Sequence, residues 1–482
     1  MQENETGASM NRELLERLVA ATGVGDPAGV AAMAHIEDAD PLLKTPLKAA
    51  ETAAAALAAQ AALVCEIWRM RTGRRQTVAL DLQGAALALQ SVFYQRQWAN
   101  PIMLTEPRYP TVDLYPTKDG RWIMINGGYP ALRDGLLDLL QCADSKEAVA
   151  GAVSRWRATE LEEAAASKGL CAVMVRTQEE WRAHPQGTAL AAEPVFAIEK
   201  IADGPKVPFP ELSGIYPPTG IRPLSGIRVL DLTHVIAGPT CGKTLAEQGA
   251  TVLHVYSPKR PQLPPFDMDT GHGKLSTFLD LAADPDKDAL RSLAATADVF
   301  AQSYRPGGIA GLGFGPADLA RIRPGIVAVS VSCYGFDGPW AERPGFEQLA
   351  QAATGIATVQ GTPAAPALAL SFYPNDYITG FLASLGTLAA LIRRAEEGGS
   401  YHVRVSLCRT AMLLLEQGLN VQSADSVQVP PPILARYMQE GDSAIGRLHY
   451  LGPVLRYSET ASRWTLPPAP LGAHPPRWPD WV

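Results

Sequence analysis

Asp376 stands at the start of an Ala/Leu-rich stretch that closes at Gly398 and Gly399, and a similar stretch with Glu51 in the matching place lies 325 residues earlier. Without a gap, Leu382, Ala383, Leu388, Ile392, Arg394, Gly398, Val403 and Leu407 align with Leu57, Ala58, Leu63, Ile67, Arg69, Gly73, Val78 and Leu82. The repeat holds an aspartate in one copy and a longer carboxylate in the other, so the two positions are not equivalent. A carboxylate at a helix start feels the positive end of the helix dipole, stays ionised, and can serve as a nucleophile toward an activated acyl group. The same local sequence, Pro374-Asn375-Asp376, is also a common way simply to cap a helix.

Other candidate chemistry is weaker. Gly238-Pro-Thr-Cys-Gly242-Lys243-Thr244 resembles a phosphate-binding loop, but three residues separate its glycines where the motif needs four, and Pro239 donates no N–H. The spacing predicts a tight turn from strand into helix, whose N-terminus still faces an anion well. The eight histidines show no metal-ligand spacing, and no Gly-x-Ser-x-Gly elbow or cysteine-nucleophile motif is present. Gly311, Gly313 and Gly315 lack the dinucleotide fingerprint and read as a turn.

These groups must be positioned by more than one core, because 482 residues exceed what a single core organises and 47% of them are apolar. The net charge of −7 comes from 42 basic and 49 acidic residues with no polybasic stripe, which argues against nucleic acid. Six widely spaced cysteines suit a reducing cytoplasm. The start lacks a signal core, and the longest apolar run, Ala53 to Cys65, is too short to span a bilayer, so no membrane partner is expected.

Along the chain, residues 1–44 read as an acidic, Ala-rich extension with one short helix near Arg12 to Ala21. Residues 45–205 read as the first long helix and a small α+β domain, with a hairpin turning at Lys118-Asp119-Gly120. A Pro-rich linker spans 206–223. Over 224–415, Val/Ile/Leu strands at 228–232, 251–255, 299–301 and 325–330 alternate with helices, among them 242–249, which predicts a Rossmann-like parallel sheet covered on both faces. Residues 416–482 form a C-terminal remnant, ending in a Pro/Trp tail expected to wrap as an ordered extended segment.

Taken in order, the segments of the C-terminal half resemble the family III CoA-transferases, the carnitine and bile-acid-inducible group that includes formyl-CoA transferase and the methylacyl-CoA racemases. They are PLSGIRVLDLTHVIAGP over 223–239, LDL over 279–281, YRPG over 304–307, LGFG over 312–315, YGFDGP over 334–339, RPGF over 343–346 and the Asp376 helix. Residues 45–210 look like the other part of the same family, with TKDG over 117–120 and EEWR over 179–182.

The resemblance implies a chemistry and a site. Asp376 would attack an acyl-CoA thioester to form a mixed anhydride, then an aspartyl-CoA thioester that a small carboxylic acid displaces. His234, Val235, Ile236 and Ala237 would line the CoA site, Lys274 would lie near the nucleotide, and Ser303, Tyr304 and Arg305 would flank the adenine or pantetheine arm. Lys259 and Arg260 would meet phosphates, with CoA as substrate and no permanently bound cofactor. Racemases of the family carry a histidine where Phe346 stands, which disfavours a two-base racemase. The family implies interlocked ring-shaped homodimers and an order of large domain, helix, small domain. Here the order is helix, small domain, large domain, helix, as in a tandem fusion that lost its first large domain and left Glu51 as a relic. A non-catalytic acyl-CoA-binding relative, or an acyl-CoA lyase or hydrolase, are the alternatives.

Overall fold

The computed structural model describes residues 2–98, 100–103, 109–212, 220–305, 307–420 and 429–480, with side chains from residue 11 onward. Parts of the expected 206–223 linker, Pro306 and the last two residues of the tail lie outside that set.

Seven strands form the main sheet: β1 (Ala197–Ala202), β2 (Arg228–Leu232), β3 (Thr251–Tyr256), β4 (Lys274–Phe278), β5 (Val299–Gln302), β6 (Val327–Ser332) and β7 (Ser400–Ser406). Their spatial order is β4-β3-β2-β5-β6-β7-β1, and pairing is parallel except for β1 against β7. The apolar strands predicted from sequence are therefore present in a mixed α/β fold, within a residue or two of their expected limits. Strand β4 was missed because its sequence, KLSTF, is too polar to read as a buried strand. It is buried because the C-terminal tail covers the sheet's edge: the Gly273 N–H donates to the Leu466 carbonyl at 2.8 Å and the His474 N–H to that of Ser276 at 2.8 Å. Strand β1 corrects the domain boundary at 205, since it pairs with β7 in the register Tyr401↔Lys200. An edge strand with polar outward residues carries no sign of which sheet it joins.

The small domain is an antiparallel sheet of Val112–Pro116, Trp122–Asn126 and Ala172–Met174, covered by helices Pro130–Leu140, Lys146–Val153 and Ala158–Ser167. Gly120 turns the hairpin at φ +73°, as its position predicts.

Five helices matter for the site: α1 (Ala49–Thr72), α2 (Ala237–Glu247), α3 (Glu347–Thr354), α4 (Pro374–Glu397) and α5 (Leu407–Glu416). Helix α2 begins at Ala237, five residues before the start expected at Gly242, so the phosphate-loop look-alike is helix rather than loop. Its glycines serve packing. A Cβ at Gly242 would lie 2.6 Å from Asp231 Oδ2 and 3.0 Å from Lys274 Nζ. Where α4 crosses α2, a Cβ at Gly380 would lie 2.6 Å from the Ala237 carbonyl oxygen. Gly380→Ala is expected to cost ~1–3 kcal/mol by overpacking, read as a lower Tm.

The repeat holds in three dimensions. Helices α1 and α4 are each 24 residues long, Glu51 and Asp376 are each the third residue, and both end at a glycine of positive φ, +72° at Gly73 and +74° at Gly398. Strands Val78–Asp81 and β7 follow, then helices starting at Leu82 and Leu407. Val78–Asp81 has a parallel neighbour, Ala34–Glu37, and an antiparallel one, Arg456–Tyr457, just as β7 lies between β6 and β1. Both long helices are apolar enough to cross a bilayer by length and composition, contrary to the reading from the Ala53–Cys65 run, but 89% of each apolar window is buried in protein. The extension also has a place: helix Gln2–Ala20, longer than expected, buries Leu14, Leu15, Leu18 and Val19 in the main core and packs on α1.

Candidate active site

The turn between β2 and α2 is built on Asp231. Its fully buried carboxylate accepts from the Thr233 backbone N–H at 3.0 Å and from the Thr233 hydroxyl, and pairs with the Lys274 ammonium at 2.7 Å. Burial alone would raise the Asp231 pKa, but the Lys274 charge leads the groups that hold it below the usual value. Lys274 also donates to the Pro239 carbonyl at 2.7 Å, tying β4 to the first turn of α2. The His234 N–H donates to Ser303 Oγ at 3.0 Å. Between these anchors Val235 adopts φ +69°, a region that a β-branched residue enters only when its surroundings force it.

Asp376 lies in the first turn of α4. The cap comes from α3: Glu347 accepts the Asp376 backbone N–H at 2.7 Å and the Asn375 backbone N–H at 3.3 Å, while the Gln351 amide donates to it at 2.9 Å. Two N–H groups of the helix start are thus met by a side chain of another helix, and Asp376 lines the cavity wall. Burial first, and the Asp376 charge second, push the Glu347 pKa well above the usual carboxylate range. Two carboxyl groups that share one desolvated site do not both ionise easily.

Asp376, 6% exposed, lines a cavity of about 420 Å³ between the β2–α2 turn, α3, α4 and the small domain. The small domain is held there by Asn126, whose amide donates to Gln348 Oε1 at 3.0 Å, and by the Arg176 N–H, which donates to the Ala352 carbonyl at 3.0 Å. Of the residues singled out from sequence, His234, Val235, Ile236, Ala237, Arg260 and Ser303 join Asp376 on this wall. Tyr304 stands behind it, its ring perpendicular to that of His234 with the centroids 5.3 Å apart. Arg260 projects over the Tyr129 ring at 5.1 Å. The remaining three are placed elsewhere. Lys274, expected near the nucleotide, is sealed in its ion pair with Asp231, because β4 is covered by the tail and α2. Lys259 is 70% exposed and pairs with Asp280 at 2.6 Å, and Arg305 is exposed outside the cavity lining. Sequence reasoning missed Glu347, Tyr129, Tyr373 and Phe266, which also line the cavity. Glu347 directly follows the RPGF string, so that string was the available signal.

Two stretches of the chain, residues 23–213 and 224–440, match the model of CoA-transferase family III. The chain is 32% identical over 423 residues to an acyl-CoA transferase of Gibberella moniliformis, covering 76% of this chain and 73% of that protein. It is 35% identical over 316 residues to the acetyl-coenzyme A transferase nodX of Hypoxylon pulicicidum, covering 61% of this chain and 52% of that one. A crystal structure of Rv3272 from M. tuberculosis shares 33% identity, with a TM-score of 0.38 over 40% of this chain and 58% of its own. The chain belongs to CoA-transferase family III, a family of enzymes. It spans nearly three quarters of the length of the first relative and about half that of the second.

Proposed function

We propose that this chain moves CoA from an acyl-CoA donor to a small carboxylic acid, with Asp376 as the nucleophile. The observation that carries the proposal is a buried aspartate in the first turn of a helix, on the wall of a cavity shared with the strained β2–α2 turn. An Asp376 oxygen attacks the thioester carbonyl carbon and CoA leaves as thiolate, giving a mixed anhydride. The thiolate attacks the aspartyl carbonyl, releases the donor acid and leaves an aspartyl-CoA thioester. The acceptor carboxylate attacks that thioester and re-forms an anhydride, and CoA thiolate then takes the acceptor acyl group and frees Asp376. Each step exchanges one activated acyl bond for another, so the thioester energy is conserved. The positive end of α4 favours the ionised nucleophile. Burial keeps water from the anhydride.

CoA would enter along His234, Val235, Ile236, Ala237 and Ser303, with Arg260 available to a phosphate. The repeat supports reading the chain as a rearranged pair of family halves: Ala34–Glu37, Val78–Asp81 and Arg456–Tyr457 correspond to β6, β7 and β1 of a Rossmann-like domain. Both cavity walls come from one chain, so a homodimer would carry two complete sites. Six unpaired cysteines suit the cytoplasm.

The test is a panel of acyl-CoA donors and free acids read by mass spectrometry of CoA esters. A CoA ester of the added acid supports transfer, release of acid and free CoA alone indicates hydrolysis, and binding without any new ester indicates a non-catalytic relative. Glu51 lies outside the cavity lining, so Glu51→Gln is expected to leave turnover unchanged in the same assay.

A further inference from the structure

The cavity is unevenly charged. Arg260, the one Arg or Lys among its described lining residues, stands toward the β2–α2 turn, where its charge bears on His234, Tyr256 and Tyr304. Beside Asp376 the charge has the other sign, because Glu347 shares that end of the cavity and already feels the Asp376 carboxylate. The rest of that end is aromatic. Tyr373, three residues before Asp376, meets Phe266 nearly at right angles with the centroids 5.9 Å apart, and Phe93 stacks on it at 5.5 Å. Phe346, directly before Glu347, meets Tyr129 of the small domain at 6.0 Å.

We propose that the acyl groups this site carries are uncharged and apolar, branched-aliphatic or aromatic, and that dicarboxylic acids are poor substrates. The inference rests on the reading that Asp376 receives an acyl group from CoA. In that reading the donor acid and the acceptor acid are each joined in turn to the Asp376 carboxyl group, so one pocket sets the class of both. Aromatic walls gain by burying a branched or aryl chain. A second carboxylate on the substrate would be desolvated beside Glu347 and Asp376. Its available counter-charge, Arg260, would have to serve it and the CoA phosphates at once. The uneven charge of the cavity thus selects against a charged acyl group at the end where the chemistry takes place.

Exchange of isotope label between an acyl-CoA and its own free acid tests this on the intact chain, because it needs only one acyl group. Succinyl-CoA and isocaproyl-CoA are a matched pair: an isopropyl group in the second replaces the terminal carboxylate of the first, with similar shape. We expect labelled isocaproate to enter its CoA ester with a kcat/KM ~10²–10³-fold above that of labelled succinate, as an unpaired, desolvated carboxylate requires. Phe266→Arg, which adds a cation to this wall, is expected to shrink that ratio at least ~10-fold, and Phe266→Leu to preserve it. Equal rates, or faster exchange of succinate, overturn the proposal. Exchange with no acyl-CoA, across the panel of donors and acids above, overturns instead the transfer reading beneath it.

Discussion

Asp376→Asn is expected to abolish turnover, by at least ~10³-fold and on the order of 10⁶-fold where chemistry limits the rate, because the amide has no anionic oxygen to attack a thioester. The same substitution is expected to raise Tm. It removes one of two carboxyl groups that share a buried site, and Glu347 then loses the negative neighbour that, after burial itself, does most to raise its pKa. Glu347 can accept the backbone N–H groups of α4 as an anion without facing a second charge. Activity lost together with stability gained is the signature of a functional carboxylate held at a cost in stability. CoA affinity, measured separately, should persist, because the β2–α2 turn does not depend on Asp376. A drop in both Tm and CoA affinity would assign Asp376 to the architecture instead.

Lys274→Met carries the largest expected stability effect. It strands the Asp231 carboxylate, fully buried and accepting from Thr233, without its counter-charge, and breaking such a pair on one side typically costs ~3–5 kcal/mol. Because Lys274 also holds the Pro239 carbonyl, the β2–α2 turn should lose its form and CoA affinity should fall in step with Tm. The double substitution Asp231→Asn, Lys274→Met should recover much of the stability, a coupling that chemical denaturation in a double-mutant cycle measures. Were Lys274 a nucleotide contact, as the family resemblance implied, K274M would lower CoA affinity with Tm unchanged and the double substitution would rescue nothing.

What could be read from the residues follows the physics of each signal. Parallel strands such as RVLDL and TVLHVY are continuous apolar runs and declare themselves, as do the 24-residue helices through their gapless repeat. Strand β4 and edge strand β1 did not, because their burial and pairing come from segments far away in the chain: the tail in one case, β7 in the other. At the site, Asp376 was legible through its place in the repeat, and the His234 to Ala237 turn through the family resemblance. Glu347 was not, since its role is to cap a helix that starts 27 residues later, a relation only the packing of α3 on α4 creates. Lys274 was misread for the complementary reason. The resemblance placed it near the nucleotide, whereas Gly242 of α2 makes room for its ammonium beside Asp231.

The pairing of Glu51 with Asp376 resolves into one helix whose carboxylate lines the cavity and one whose carboxylate lies outside that lining. Its central consequence, a single nucleophile per chain, is tested most directly by trapping. The enzyme is turned over with acyl-CoA, quenched with hydroxylamine, and its peptides are mapped by mass spectrometry. We expect one hydroxamate, on Asp376. Modification at Glu51 or Glu347, or sustained turnover with Asp376 never modified, would contradict the account.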